Sequence, residues 1–167
     1  MKVKSFVFIW LLTFVITGCT SDPNHLVDGK EKVTKEADQL ISQYIIQKYK
    51  NIFAPSEKQF EVHRIYGTSE EDGILTVYFH SCLGGFNKET GDQEQSGHSL
   101  PVLIKIKKER SGYKVVDYKE PRDGGYYKSS LQKMFPKRYV QKEDQQAGEI
   151  NDLQIQMNKK VHKWLKQ

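Results

Sequence analysis

Cysteine is scarce in this chain: Cys19 and Cys82 are the only two in 167 residues, so a disulfide framework is excluded as the source of stability. Long apolar runs are missing too. The longest, residues 6–17 (FVFIWLLTFVIT), has 12 residues, short of the roughly 20 that a membrane-spanning helix needs. No His-Glu-x-x-His occurs, which excludes zincin-type protease chemistry. Arginine is rare, four residues against 22 lysines, a bias that says little about chemistry. The length leaves room for one domain and excludes a multidomain enzyme. No internal repeat or low-complexity segment is present.

What is present first is an address. Lys2 and Lys4 precede the apolar run, the pattern of a cleaved export signal over residues 1–18. Ile16-Thr17-Gly18-Cys19 follows, an aliphatic residue, two small ones and a cysteine, and resembles the lipobox of bacterial lipoproteins. That resemblance implies diacylglycerylation of the Cys19 thiol, a mature chain beginning at Cys19, and localisation on the extracytoplasmic face of the cell membrane as a palmitate-type lipid anchor. Two acyl chains hold durably, because each buried CH₂ contributes about 0.8 kcal/mol. Cys82 would then be the only thiol of the mature chain, which removes any intramolecular disulfide. Without Lys2 and Lys4 the charge is 24 basic against 21 acidic residues, a near balance that argues against nucleic acid.

Residues 19–30 are polar, hold Pro23 and Gly29, and read as a lipidated tether; residues 31–167 read as a single domain. From Lys32 to Lys50, Val33, Ala37, Leu40, Ile41, Tyr44, Ile45 and Tyr49 recur at three and four, which predicts a helix, with Asp28 and Glu31 as its start box. Period two then takes over: strands are expected over 60–66, 74–82, 99–108 and 113–119, with a turn at 67–73 and a polar loop at 83–98. The first of these alternates Phe60, Val62, Arg64 and Tyr66 with Glu61, His63 and Ile65, as in a strand with one buried face. A short helix over 128–135 closes at Pro136, and a last one begins near Asp144 with Ile150, Leu153, Met157, Val161 and Trp164 on one side. The expected fold is α+β: an N-terminal helix packed on a four-stranded antiparallel meander, cystatin-like or NTF2-like in element order, with C-terminal helices.

A second resemblance spans Phe60 to Tyr139. His63-Arg64-Ile65-Tyr66-Gly67, Gly84-Gly85-Phe86-Asn87, Gly97-His98-Ser99-Leu100-Pro101, Glu120-Pro121-Arg122-Asp123-Gly124 and Lys133-Met134-Phe135-Pro136 are similar to motifs of exported Gram-positive domains without assigned function. Such domains resemble lipoproteins and the extracellular part of β-lactam-sensor-like membrane metallopeptidase regulators. The resemblance implies a binding, sensing or accessory module without the protease.

Candidate chemistry is thin. His80 and Cys82 are two apart on a strand and share a face, and His98 joins them if the 83–98 loop folds back. Imidazole with thiolate suits zinc or copper, yet a structural zinc site wants four ligands and one pair is present. The same residues read as a thiol nucleophile with a histidine base lack a flanking hydrolase motif. A packed cysteine and a hydrogen-bonded histidine is the reading we adopt, with no metal and no cofactor. Glu70-Glu71-Asp72 and Glu89, Asp92 and Glu94 lack calcium-loop spacing and read as turn-solvating charges. Gly84-Gly85 lacks the ending of a phosphate loop and reads as a bend. Lys159, Lys160, Lys163 and Lys166 beside Trp164 read as the solvated face of a packing helix rather than an anionic-lipid contact. Tyr126-Tyr127 either edges a groove or places one tyrosine in the core. The functional expectation is a non-enzymatic lipoprotein that binds a protein or cell-wall ligand. The alternative is an envelope enzyme using Cys82 with His80 or His98, and a purely structural role stands third.

Overall fold

The computed structural model describes residues 26–146 and 148–167, so the expected export signal over 1–18 and the expected lipidation site Cys19 lie outside the described residues. Strands β1 (Val27–Asp28), β2 (Lys58–Glu71), β3 (Ile74–Phe86), β4 (Ser96–Glu109) and β5 (Gly112–Lys119) form one antiparallel sheet in sequence order. Helix α1 (Lys35–Tyr49) precedes β2, and α2 (Tyr127–Met134), α3 (Lys137–Gln146) and α4 (Asn151–Leu165) follow β5. The architecture is α+β with an antiparallel meander, as expected, but it has five strands rather than four. Among the described residues no helix is long and apolar enough to cross a membrane.

The fifth strand comes from the segment read as tether: Val27 pairs with Thr68 and Asp28 with Gly67. That use of Asp28 displaces the expected helix start. Thr34 caps α1 instead, its side-chain oxygen accepting from the Ala37 amide at 3.2 Å. The expected 67–73 turn shrinks to Asp72-Gly73, whose φ angles of 51° and 72° suit a two-residue hairpin turn. The expected 83–98 loop shrinks to residues 87–95 because Gly84 and Gly85 continue the ladder opposite Gly97 and Ser96.

Both faces of the sheet are covered. On one face Ala37, Ile41, Ile45 and Tyr49, at steps of four along α1, pack on Val77, Phe79, Leu83, Val102, Ile104 and Ile106. Each fully buried aliphatic side chain there contributes about 1.5–3 kcal/mol. On the other face α2 and α3 bury Leu131, Phe135, Tyr139 and Val140 against Tyr66, Tyr78 and Leu103. Beside them α4 buries Leu153, Met157 and Val161 against Val62 and Phe86. The expectation of a single buried face on β2 is therefore corrected: Phe60, Val62 and Arg64 face α4, while Glu61 and His63 lie beneath α1.

The last helix is two helices. Residues 137–146 form α3, absent from the sequence reading, and the chain turns before α4 begins at Asn151. Arg64 ties this turn to β2. Its guanidinium pairs with Asp152 and donates to the Gln146 and Glu149 carbonyls, binding the end of α3 and the start of α4 to one strand position.

Candidate functional site

Strand alternation sorts the three candidate residues onto opposite faces. His80 and Cys82 share a face, as expected, and it is the one that α2–α4 cover. His98 sits on β4 with its ring on the α1 side, 4.4 Å from the Tyr49 ring, its Nε2 3.3 Å from Ser81 Oγ. The three do not converge. Burial pulls the His98 imidazole down to about 4, so it is neutral at physiological pH, and its Nδ1 is buried without a partner.

What joins His80 and Cys82 is Ser99, directly opposite Cys82 in the β3–β4 register. His80 Nε2 lies 2.8 Å from Ser99 Oγ, and Ser99 Oγ lies 3.4 Å from Cys82 Sγ. On its far side His80 Nδ1 is 3.1 Å from the Glu143 carboxylate, which also accepts from the Tyr66 hydroxyl at 2.7 Å. Glu143 is 2% exposed and His80 3%, so the carboxylate and imidazole are buried, and the chain runs outward to an exposed Ser99 hydroxyl and a half-buried Cys82 thiol. Burial alone would lower the His80 imidazole. The neighbouring Cys82 and Glu143 outweigh it and hold the ring up to about 9. A charged imidazole donates through both nitrogens, so His80 cannot take a proton from Ser99 near neutrality, and Ser99 is a relay rather than an activated nucleophile.

The exposed end of this chain opens into a hollow of about 260 Å³ between the sheet and α4, lined by Cys82, Glu94, Ser99, Leu153, Gln154 and Met157. β3 is paired with β2 and β4 along both edges, so the backbone beside Cys82 offers no free N–H for an oxyanion. Among the described residues no group of three or more His, Cys, Asp or Glu side chains is placed to hold a metal ion.

A second polar chain crosses the opposite face, which sequence reasoning missed. His63 Nε2 lies 3.2 Å from Asp38 on α1, and its Nδ1 lies 3.0 Å from the Glu61 carboxylate. Glu61, wholly buried, also accepts from Ser42 at 2.6 Å and Ser81 at 2.9 Å. Burial opposes charge on His63, yet Glu61 and Asp38 raise its imidazole to about 9, while His63 holds both carboxyls below their ordinary range. These groups join α1 to the sheet; Glu61 and His63 are closed off from water, and only the Asp38 carboxylate reaches solvent.

The remaining candidates fall out by position. Tyr126 and Tyr127 are both exposed, at 60% and 37%, so neither is core; the Arg122 guanidinium lies over the Tyr126 ring at 4.4 Å. Lys160, read as solvated, donates to the Glu61 carbonyl at 2.6 Å. Of the missed site residues, Ser99 was visible as a polar position in a strand two residues from an apolar one. Glu143 lies 63 residues from His80 and carries no local signal.

Comparison with protein-family models, curated proteins and solved structures gives no match to this chain. The resemblance to exported Gram-positive domains rests on its five motifs. Three of them acquire a structural role here: Gly67 admits the Tyr139 hydroxyl and the Val27 carbonyl against β2, and Gly84 faces Gly97 across β3 and β4.

Proposed function

We propose that this chain is a lipid-anchored extracytoplasmic module that binds a ligand or partner without catalysing a reaction. The anchor rests on the lipobox-like Ile16-Thr17-Gly18-Cys19. The observation that carries the binding reading is the hollow beneath α4, where a hydrogen-bonded chain that starts at buried Glu143 and His80 ends at Ser99 and Cys82 in a recess walled by Leu153 and Met157 and edged by Glu94 and Gln154. Photocrosslinkers placed at Ser99 and Gln154 of the membrane-tethered protein in its native cell test it. Specific capture at these positions, lost with a probe at Glu109 on the distant end of β4, supports the reading, and equal labelling at all three refutes it. Cys19→Ala is expected to abolish lipid labelling and release or leave unprocessed the chain, and unchanged labelling removes the anchor from the reading.

A second reading, an envelope enzyme with Cys82 as nucleophile, is favoured by one observation, the charged His80 relayed through Ser99 to the sulfur. Gln154 would have to supply the oxyanion donor. In that case Cys82→Ser abolishes turnover while the melting curve stays in place. A fold loss without any activity to lose, and no copurifying metal, eliminates it.

A further inference from the structure

Gly84 and Gly97 face each other on the α4 side of β3 and β4. A methyl carbon on Gly84 would lie 2.9 Å from Glu94 Oε2, and one on Gly97 2.7 Å from Glu94 Oε1. The glycine pair is thus a floor without side chains on which the Glu94 carboxylate lies. That carboxylate lines the same hollow as Cys82, Ser99 and Gln154, and no described cation lies within ion-pair distance of it. Burial alone acts on it, lifting its carboxyl above the ordinary glutamate range. Glu94 is an exposed residue, so its carboxylate is open to a cation arriving in the hollow, and the apolar wall beside it lowers the local dielectric in which the two would pair.

We propose that the hollow takes a small primary amine, with its ammonium on Glu94 and its apolar body against Leu153 and Met157. The proposal rests on the binding reading above and specifies its ligand class. The geometry sets the size. About 260 Å³ holds roughly eight waters at about 30 Å³ each, enough for a short branched chain. Gln154 offers an amide to a carbonyl or hydroxyl on the same ligand, and Cys82 and Ser99 lie at the end of the recess. Three ligating side chains for a divalent metal are not brought together here, whereas one ammonium needs one carboxylate.

The test uses the full-length protein in non-ionic detergent and a brief pulse of iodoacetamide, with modification read on the Cys82 peptide by mass spectrometry. Isoamylamine is compared with isoamyl alcohol, which has the same carbon skeleton without the charge. The amine is expected to slow Cys82 alkylation saturably at concentrations at least tenfold below those of the alcohol. Glu94→Gln is expected to bring the amine to the alcohol's level without moving the melting temperature, while Asp92→Asn changes nothing. Equal protection by amine and alcohol, or an amine preference that survives Glu94→Gln, overturns the proposal and leaves the binding reading standing. Protection by Zn²⁺ but not by the amine overturns it in favour of a metal. Failure of every probe to protect Cys82 removes the hollow as a binding site and defeats both.

Discussion

Three histidines are expected to make stability peak near pH 6.5, with two limbs of opposite sign, the alkaline one carried by His63 and His80 and the acid one by His98. Above pH 6.5 the unfolded chain gives up protons that the folded chain keeps on His63 and His80 until about 9. Their stabilisation is complete below 6.5 and is lost as pH rises through 9. The interval corresponds to about 3 kcal/mol per histidine, falling at about 1.4 kcal/mol per pH unit for each. His98 works the other way. Its folded imidazole refuses a proton down to about 4, so between 6.5 and 4 the unfolded chain binds a proton that the folded chain lacks, at a cost again approaching about 3 kcal/mol.

Guanidinium unfolding midpoints measured from pH 4.5 to 9 check this. Asp38 and Glu61, held low by His63, contribute to acid loss only from about the ordinary carboxylate range downward, so the window from 4.5 to 6.5 reports His98. His98→Phe keeps the aromatic contacts to Tyr49 and Phe53 and removes the orphaned Nδ1, and is expected to flatten the acid limb alone. His63→Gln is expected to halve the alkaline slope while lowering stability throughout. A midpoint that is flat or rising from pH 6.5 to 9, or an acid limb as steep in His98→Phe as in the parent chain, refutes the charge assignments.

Glu143→Leu should cost about 3–5 kcal/mol, because it leaves the His80 imidazolium buried without its carboxylate, whereas Tyr66→Phe removes one hydrogen bond and should cost about 1–3 kcal/mol; thermal denaturation at pH 6.5 separates them. Gly67→Ala places its methyl carbon 2.0 Å from the Tyr139 hydroxyl and 2.5 Å from the Val27 carbonyl, so β1 must detach, and the amide of Gly29 should lose hydrogen-exchange protection; retained protection counts against the packing described. Arg64→Lys loses the planar fork that holds the α3–α4 turn, so α4 should loosen and Cys82 alkylation should accelerate severalfold with the α1 face unchanged; an unchanged rate would mean that α4 is held by its apolar face alone.

Much of the fold was legible because it repeats a period. The three-and-four spacing of Ala37, Ile41, Ile45 and Tyr49 and the alternation of Val77, Phe79 and Leu83 both point at one core. What escaped was set by contacts between distant elements. Val27–Asp28 is too short to show a period and becomes a strand only because Gly67 leaves room for it. Helix α3 was hidden by its composition: KRYVQKEDQQ offers two apolar residues in ten, and Glu143 completes its buried face as a hydrogen-bonded carboxylate rather than a hydrocarbon.

The same cause explains why the candidate site was half legible. His80 and Cys82 could be placed on one face from their spacing, since strand alternation is local. Whether that face meets water or helices depends on where residues 137–165 return, and the return is fixed by Arg64 reaching the α3–α4 turn. Once the face is covered, the polar residues on it must find partners or be eliminated. His80 finds Glu143 and Ser99, and Arg64 finds Asp152. Beneath α1 the same requirement binds Glu61 and His63 to Asp38, Ser42 and Ser81. Glu94 differs from all of these. It is exposed, two glycines make room for its carboxylate, and no described residue supplies the opposite charge within ion-pair distance, so its charge is open to whatever enters the hollow.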